Sequence, residues 1–391
     1  MSEQYVYSVE KILFVTNDFP PQSGGIQTFI EGLIYQLPKN SVVVHASSHH
    51  DFAAQEEYDQ AISDELGVVV VRDRQRILLP TLRLRNRVAG TIHAHSIKSV
   101  VFGASVPLGL LAPSLRKLGV LRFVALTHGH EVWWAKVPPF KWLLRWVAHH
   151  CDVVTHLGSF TKGAISKALR PEDEQKLSPL APGVNVETFH PGPKPPALIT
   201  RYGLENKQVI LCVGRLVQRK GQDALIRAMA QLKDKYSDAQ LLIAGAGNYE
   251  SKLRRLALTQ KVEDRVTFAG RVPFAELPDL FRVADIFASP TRDRFGGLEV
   301  EGLGIVYLEA SASGLPVIAG ASGGSPDAVL SGQTGFVVDG REIDAIAEAL
   351  DHLLGDVNAR KSMGEHGRRW MESQWSWEIM GERFRRLLEL N

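Results

Sequence analysis

The chain has 391 residues, 45% of them hydrophobic and 23% charged. That length exceeds one ordinary core and implies roughly two or three domains of soluble, globular type. The formal net charge of +2 lacks the strong basic bias of most nucleic-acid binders, so no nucleic-acid partner is expected. With Cys151 and Cys212 as the two cysteines, a disulfide framework and a paired-cysteine metal site are both excluded.

The opening MSEQYVYSVEK has no basic stretch followed by an apolar core, so no signal peptide is expected and a cytoplasmic protein is. KILFVTN (11–17) has the continuous apolar character of a buried strand. GGIQTFIEGLIYQL follows, with Ile26, Phe29, Ile30, Leu33 and Leu37 on one helical face. SVVVHAS, LGVVVVR, KSVVFGA, RFVALTH and DVVTHLG continue the strand-like runs, separated by loops and helical patterns. The longest weakly polar run, VVFGASVPLGLLAP (100–113), is too short to span a bilayer and contains Pro107. APGVNVETFHPGPKPPA (181–197) is dense in Pro and Gly and reads as a linker. A second series begins at once, with QVILCVG, AQLLIAG, RVTFAG, DIFASP, PVIAG and TGFVV as strands between helices. Strands alternating with helices imply parallel sheets covered on both faces. The expected class is therefore α/β, with two Rossmann-like domains facing each other across a cleft, residues 1–188 and 189–375. Ligands of such domains sit beyond the carboxyl ends of the strands.

The loops that follow strands carry the candidates. After the first strand, Gly24 and Gly25 open a helix, where adjacent glycines admit a ligand and free N–H groups suit an anion; a plain tight turn fits equally well. After QVILCVG, Arg215 and Lys220 stand where they can clamp phosphate oxygens, or be solvated loop charge. The order Lys-Gly excludes a P-loop. AGAGNYE offers a lone GxG, a weak signal, and ASGGSPDAV (321–329) repeats the glycine pair as a second anion-friendly nest. In TRDRFGGLEVEGLGIVYLE, a helix should begin near Ile305, leaving Glu301 in the loop and Glu309 about one turn inside. An eight-residue helical span would rotate them about 80° apart, but a loop entering a helix can aim both at one ligand. Carboxylates repel phosphate, so hydroxyls are their natural partners. Phosphates for the cations and hydroxyls for the glutamates describe a nucleotide sugar. A surface Glu and a helix-cap Glu remain the alternative on spacing alone.

EGLGIVYLE resembles the E-x7-E motif of retaining glycosyltransferase family four, whose members have the two-domain GT-B fold. TNDFPPQSGGIQTF, THGHEV, GRLVQRKGQDALIRAM and WSWEIMGERF extend the resemblance over nearly the whole chain. It is nearest to the actinobacterial GDP-mannose-dependent phosphatidylinositol-mannoside mannosyltransferases that add the second mannose. The resemblance implies mannosyl transfer from GDP-mannose to a phosphatidylinositol mannoside, with no cofactor beyond the nucleotide-sugar co-substrate and no metal. Gly24 and Gly25 would approach the donor diphosphate, Arg215 and Lys220 would stabilise the leaving phosphate, and Val272 would join the donor site. Glu301 would hold sugar hydroxyls, Glu309 the ribose, and His128 the transferred sugar; Asp18 and His130 would face the acceptor. The terminal helix, 376–391, would pack back on the N-terminal domain. A monomer or weak homodimer is expected. The chain departs from that subgroup at Trp133, Asn185 and Phe295, where glycine, aspartate and glycine are usual. A glycosyltransferase of the same family with another nucleotide sugar or a soluble acceptor is the alternative within the resemblance, and, as different classes, the rivals are a sugar-nucleotide 2-epimerase and a non-catalytic nucleotide-sugar sensor. The epimerase would need further acid/base carboxylates, and the intact Arg-Lys-Glu-Glu set argues against the sensor.

His93/His95 and His128/His130 form HxH pairs, which on a strand would share a face and suit zinc. Neither has a third ligand at a characteristic spacing. No DxD motif is present, and Arg215 with Lys220 would supply the electrostatic stabilisation a metal gives elsewhere. RDRQRILLPTLRLRNR (72–87) sets six arginines against one aspartate, and EVWWAKVPPFKWLLRWVA (131–148) holds four of the chain's seven tryptophans. Arg83, Arg85, Arg87, Trp133, Trp142 and Trp146 are thereby candidates for contact with an anionic membrane surface, on the inner face of the cell membrane. A solvated basic face and a buried tryptophan helix are the plain alternatives.

Overall fold

The architecture follows from short parallel strands, thirteen among the described residues, most of them buried. The computed structural model describes residues 10–22 and 24–390; most of the opening segment read above for a signal peptide lies outside them. The chain divides into two compact units, one of residues 1–183 with 377–391 and the other of residues 184–376.

The first unit holds β1 (Ile12–Thr16), β2 (Val42–Ala46), β3 (Val69–Arg72), β4 (Ser99–Phe102), β5 (Arg122–Ala125), β6 (Val153–His156) and β7 (Leu177–Pro179). They lie side by side in the order β3-β2-β1-β4-β5-β6-β7, with every pair parallel. Successive side chains of a strand point to opposite faces. Leu13 and Val15 thus join Val43, Val100, Phe102 and Phe123 in one core, while Phe14 meets Phe384 on the other side, ring centroids 6.0 Å apart. Phe384 belongs to the terminal helix Trp377–Leu387, whose Trp377 also packs on Phe29. β7 was not among the expected strands. It is three residues long and ends in Pro179 at a sheet edge, where proline is tolerated and a sequence signal is weakest.

The second unit holds β8 (Gln208–Val213), β9 (Ala239–Ala244), β10 (Val266–Gly270), β11 (Ile286–Ser289), β12 (Val317–Gly320) and β13 (Gly335–Val338), ordered β10-β9-β8-β11-β12-β13 and all parallel. The segment read as a linker is tied into this unit. Arg368 donates to the carbonyls of Val186 and Phe189 and to that of Ala312. Asn185 Oδ1 accepts the N–H groups of Glu187 and Thr188, both at 3.0 Å, which an aspartate there would do equally. Two parallel, helix-covered Rossmann-like sheets are therefore present, as the alternation implied. In each, the strand order reverses direction once, between β1 and β4 and between β8 and β11. Crevices for ligands open at such points, beyond the strands' carboxyl ends.

No helix among the described residues is long and apolar enough to cross a membrane. Phe384 is fully buried, so Phe384→Ala should cost about 3–5 kcal/mol in the stability of the first unit. Urea unfolding checks this, and an unchanged midpoint would mean that the terminal helix contributes nothing to that core.

Candidate functional site

At the β8/β11 crevice the loops after the two strands meet through charge. Lys220 Nζ lies 2.8 Å from Glu301 Oε2, and Arg219 donates to the same oxygen. Glu301 is 9% exposed and Lys220 8%. Burial pulls the Glu301 carboxyl upward, but the attraction and hydrogen bonds of Lys220 and Arg219 prevail and hold it below the usual carboxylate range. Both cations fall on Oε2, so Oε1 has no hydrogen bond among the described residues. Arg215 is exposed and its guanidinium has no partner among the described residues. The loop geometry is specific. Gly221, directly after Lys220, has φ +75°, and a Cβ there would run into the Pro290 carbonyl; the left-handed conformation and the close approach both require glycine. Arg219 carries no sequence signal that separates it from its neighbour Lys220, because its partner is 82 positions away.

The backbone of Glu301 is held at both ends. Its N–H donates to Ser322 Oγ at 3.2 Å, and its carbonyl accepts from the Gly324 N–H at 2.9 Å. A Cβ on Gly323 would strike that carbonyl. The second glycine pair is therefore filled by the Glu301–Gly302 backbone and is not the open anion nest expected from ASGGSPDAV. Beyond Glu301, the helix Ile305–Ala312 is anchored by Tyr307, whose hydroxyl donates to the Ser289 carbonyl at 2.7 Å. One turn in, Glu309 is 9% exposed. Its Oε2 has no hydrogen-bond partner, and burial pushes its carboxyl up to about 7. Beside these groups a pocket of about 420 Å³, lined by Gly214, Arg215, Gly245, Arg271, Val272 and Leu277, opens at the ends of β8, β9 and β10. It brings Val272 and Arg215 together.

At the β1/β4 crevice the helix Gly25–Tyr35 begins with Gly24 as its cap. Among the described residues, an added Cβ at Gly25 would meet nothing within 4 Å, and one at Gly24 would touch only the Gln27 side chain. This glycine pair is open. Gln27 donates to Asp18 Oδ1 at 2.9 Å; burial holds the Asp18 carboxyl above its usual range despite the nearby His128, His130 and Gln27. The His128 ring packs edge-on against Phe29, and its Nε2 lies 2.5 Å from the Gly103 carbonyl, just past β4. A carbonyl only accepts, so Nε2 carries the proton and Nδ1 is left with a lone pair. Burial lowers the His128 pKa, against the pull of Glu131. Glu131, 1% exposed, accepts from the His128 N–H at 3.0 Å and from Ser105 Oγ at 3.2 Å. Its positioning role had no signature of its own in THGHEV.

The family model described as "Glycosyltransferase Family 4" matches residues 23–188, and that described as "Glycosyl transferases group 1" matches residues 198–370. The chain is 43% identical over 379 residues to a GDP-mannose-dependent alpha-(1-6)-phosphatidylinositol monomannoside mannosyltransferase of Mycolicibacterium smegmatis, covering 96% of this chain and 98% of that one. The chain belongs to the group 1, family 4 glycosyltransferases. A Corynebacterium glutamicum relative, a GDP-mannose-dependent monoacylated alpha-(1-6)-phosphatidylinositol monomannoside mannosyltransferase, is also 43% identical, with 97% and 98% of the two chains covered. Among solved structures, Anabaena Alr3699/HepE in complex with UDP shares the fold at a TM-score of 0.78 and 18% identity, covering 97% of this chain and 99% of that one.

Elsewhere in this glycosyltransferase the candidate residues separate. His93 and His95 end the helix Leu82–His95, where i and i+2 do not face the same way, and His128/His130 lie in a loop and at a helix cap. Neither HxH pair is on a strand. Among the described residues, no group of three or more His, Cys, Asp or Glu is placed to hold a metal ion. Arg83 is exposed, Arg85 bonds to Asn86, and Arg87 donates to the buried Asp73 at 2.6 Å, so its charge is already engaged. Trp133 packs on Phe140 and Trp134; Trp142 and Trp146 are exposed.

Glu309 gives a pH prediction. Its folded-state pKa, about 7, exceeds the ordinary glutamate value of 4.5, so its favourable contribution is complete below about 4.5 and is lost as pH rises through 7. Glu309→Gln should therefore stabilise the free glycosyltransferase at pH 8 relative to the parent, by on the order of 1 to 3 kcal/mol, and have little effect at pH 4.5. Thermal melts across that range test this; a gap that does not change with pH would mean that Glu309 is ionised throughout.

Proposed function

We propose that this enzyme transfers mannose from GDP-mannose to a phosphatidylinositol monomannoside, forming an α-(1→6) linkage with retention at the sugar. The observation that carries the reading is 43% identity to relatives of that activity across 96% and 97% of the chain, and the charge arrangement at the β8/β11 crevice supports it. Arg215 and Lys220, joined by Arg219, receive the diphosphate. Glu301 keeps Oε2 on the clamp and offers Oε1 to a mannose hydroxyl. Glu309 accepts from the ribose hydroxyls, and the pocket at Val272 takes the base. Gly24 and Gly25 leave the helix N–H groups open to the donor phosphates. The neutral His128, with Glu131 holding its backbone, presents its lone pair to a sugar hydroxyl, while Asp18 and His130 face the acceptor.

In this mechanism the C1–O bond to the diphosphate breaks as the acceptor hydroxyl bonds to C1 from the same face. The departing phosphate oxygen takes the hydroxyl proton, and Arg215 and Lys220 stabilise the charge that develops on it. No protein nucleophile is involved. Membrane contact is a further part of the reading. Arg74, Arg76 and Arg83 are exposed beside Ile77, Leu79 and Leu82, the last 82% exposed. Apolar groups among free cations suit peripheral binding to an anionic bilayer, on the cytoplasmic face where a nucleotide-sugar donor is available.

Transfer assays with a panel of nucleotide sugars should give product with GDP-mannose and the monomannoside lipid; transfer from another donor alone would displace this reading. Arg215→Ala and Lys220→Ala should each lower turnover roughly 10²- to 10³-fold. Glu301→Gln should act mainly on kcat, and Glu309→Gln mainly on nucleotide affinity; calorimetry with guanosine diphosphate beside kinetics separates the two. Vesicle co-sedimentation should favour anionic over neutral lipid. Arg83→Ser should weaken the salt-sensitive part and Leu79→Ser with Leu82→Ser the salt-insensitive part. Equal binding to both lipid types would remove the bilayer from the proposal.

A further inference from the structure

A second pocket in residues 184–376, of about 410 Å³, is lined by Arg227, Arg292, Arg294 and Arg341 with Asp223 and Asp293. Two carboxylates face four guanidinium groups. Asp223 is taken by Arg292 through two hydrogen bonds of 2.8 Å. Asp293 accepts from Ser322 Oγ at 2.7 Å, and Arg294 turns to Glu299 at 3.0 Å. Arg341 gives one N–H to the Asp293 carbonyl at 2.6 Å and is otherwise exposed. Arg227, one turn along the helix Gln222–Leu232 from Asp223, is exposed and has no partner among the described residues. The concavity thus keeps an excess of positive charge and several guanidinium N–H groups without acceptors. Planar guanidinium forks match the oxygens of a tetrahedral phosphate better than those of any neutral ligand.

The wall of this pocket is also the back of the loop that carries Glu301. The Arg292 N–H donates to the Arg219 carbonyl at 2.9 Å. Arg219 and Arg294 share Glu299, at 3.6 and 3.0 Å. Ser322 Oγ, which donates to Asp293, accepts the Glu301 N–H. Between these ties the loop holds Phe295 at φ +52°, a conformation that costs a residue with a Cβ, with the Arg294 guanidinium over its ring at 4.5 Å. The pocket and the clamp therefore share one constrained segment, residues 292–301, but not the same cations.

We propose that this arginine pocket is a second anion site, which takes inorganic phosphate or a phosphate ester and braces the loop that carries Glu301. The phosphate can belong to a lipid headgroup or be free in solution, and the experiment separates the two. Inorganic phosphate and glycerophosphoinositol, a soluble phosphodiester, are titrated calorimetrically at about 50 mM salt, where screening is modest. The titrations use the Arg215→Ala background, which weakens the donor clamp. Saturable binding of at least one is expected, roughly tenfold or more weaker when Arg227→Ala and Arg341→Ala are added. Hydrogen exchange should slow in residues 292–301 as the site fills. If Arg227→Ala with Arg341→Ala raises KM for the lipid acceptor without changing kcat or donor affinity, the phosphate is that of the headgroup. If inorganic phosphate binds and the acceptor KM is unchanged, it is a free anion. The kinetic arm rests on the proposed acceptor and the titration does not, so a failure of one is distinguishable from a failure of the other. Absence of saturable binding by both probes, or equal binding by the doubly substituted protein, overturns the site.

Discussion

A carboxylate removed from water stays ionised only where cations meet it, and much of residues 184–376 is arranged around that requirement at Glu301. Burial alone would neutralise the group. Lys220 and Arg219, both on Oε2, keep it charged, and in doing so they join the loop after β8 to the loop after β11. That junction needs Gly221 against the Pro290 carbonyl and Gly323 against the Glu301 carbonyl, because side chains there would push the loops apart. On the proposed function, a diphosphate arriving at this crevice meets cations already fixed in place. It must share them with Glu301, which limits how tightly the ground state is held, while charge developing on the departing phosphate strengthens its claim on them. Preorganised charge of this kind stabilises the transition state with little reorganisation.

The same sheet logic acts in both units, but the two glycine pairs show how local packing decides what a motif does. Both pairs lie at carboxyl ends of strands. Among the described residues only the Gln27 side chain lies against Gly24 and nothing against Gly25, before a helix of eleven residues, so N–H groups of the first turn can face a ligand. At Gly323 and Gly324 the neighbouring backbone occupies the space and accepts the Gly324 N–H. The first pair can serve a ligand; the second shapes the loop that presents Glu301.

Much of this was legible in the sequence for a physical reason. Strands buried on both faces must be continuous apolar runs, and ILFVT, VVVHA and QVILCV announce themselves. Arg215, Lys220, Glu301 and Glu309 could be picked out as candidates because they stand at fixed offsets from strands and from one another. What escaped was set by long-range contact. Arg219 differs from other loop arginines only through Glu301, and Arg87 from Arg83 only through buried Asp73. The zinc reading weighed for the histidine pairs depended on a strand, where i and i+2 share a face, and His93 and His95 instead close a helix. Which of the apolar residues among the arginines stay uncovered was not legible, because nothing in their spacing separates exposed Ile77, Leu79 and Leu82 from buried Leu78 and Leu84.

Glu301 and Glu309 return the argument to chemistry. They are eight positions apart and equally buried, at 9% exposed each, yet their environments drive them in opposite directions. Cations hold Glu301 charged. Nothing within hydrogen-bond reach of Glu309 Oε2 compensates its burial, and its carboxyl rises to about 7. Environments that separate the pKa values of two carboxylates commonly divide their roles. A charged Glu301 can polarise a hydroxyl and steady the clamp together. Glu309 is costly to ionise while its burial is uncompensated, and on the proposed function hydroxyl donors arriving there would favour the carboxylate, so binding of the ribose would be coupled to proton release near neutral pH. On that reading one residue keeps the site charged before the substrate comes, and the other becomes charged because it has come.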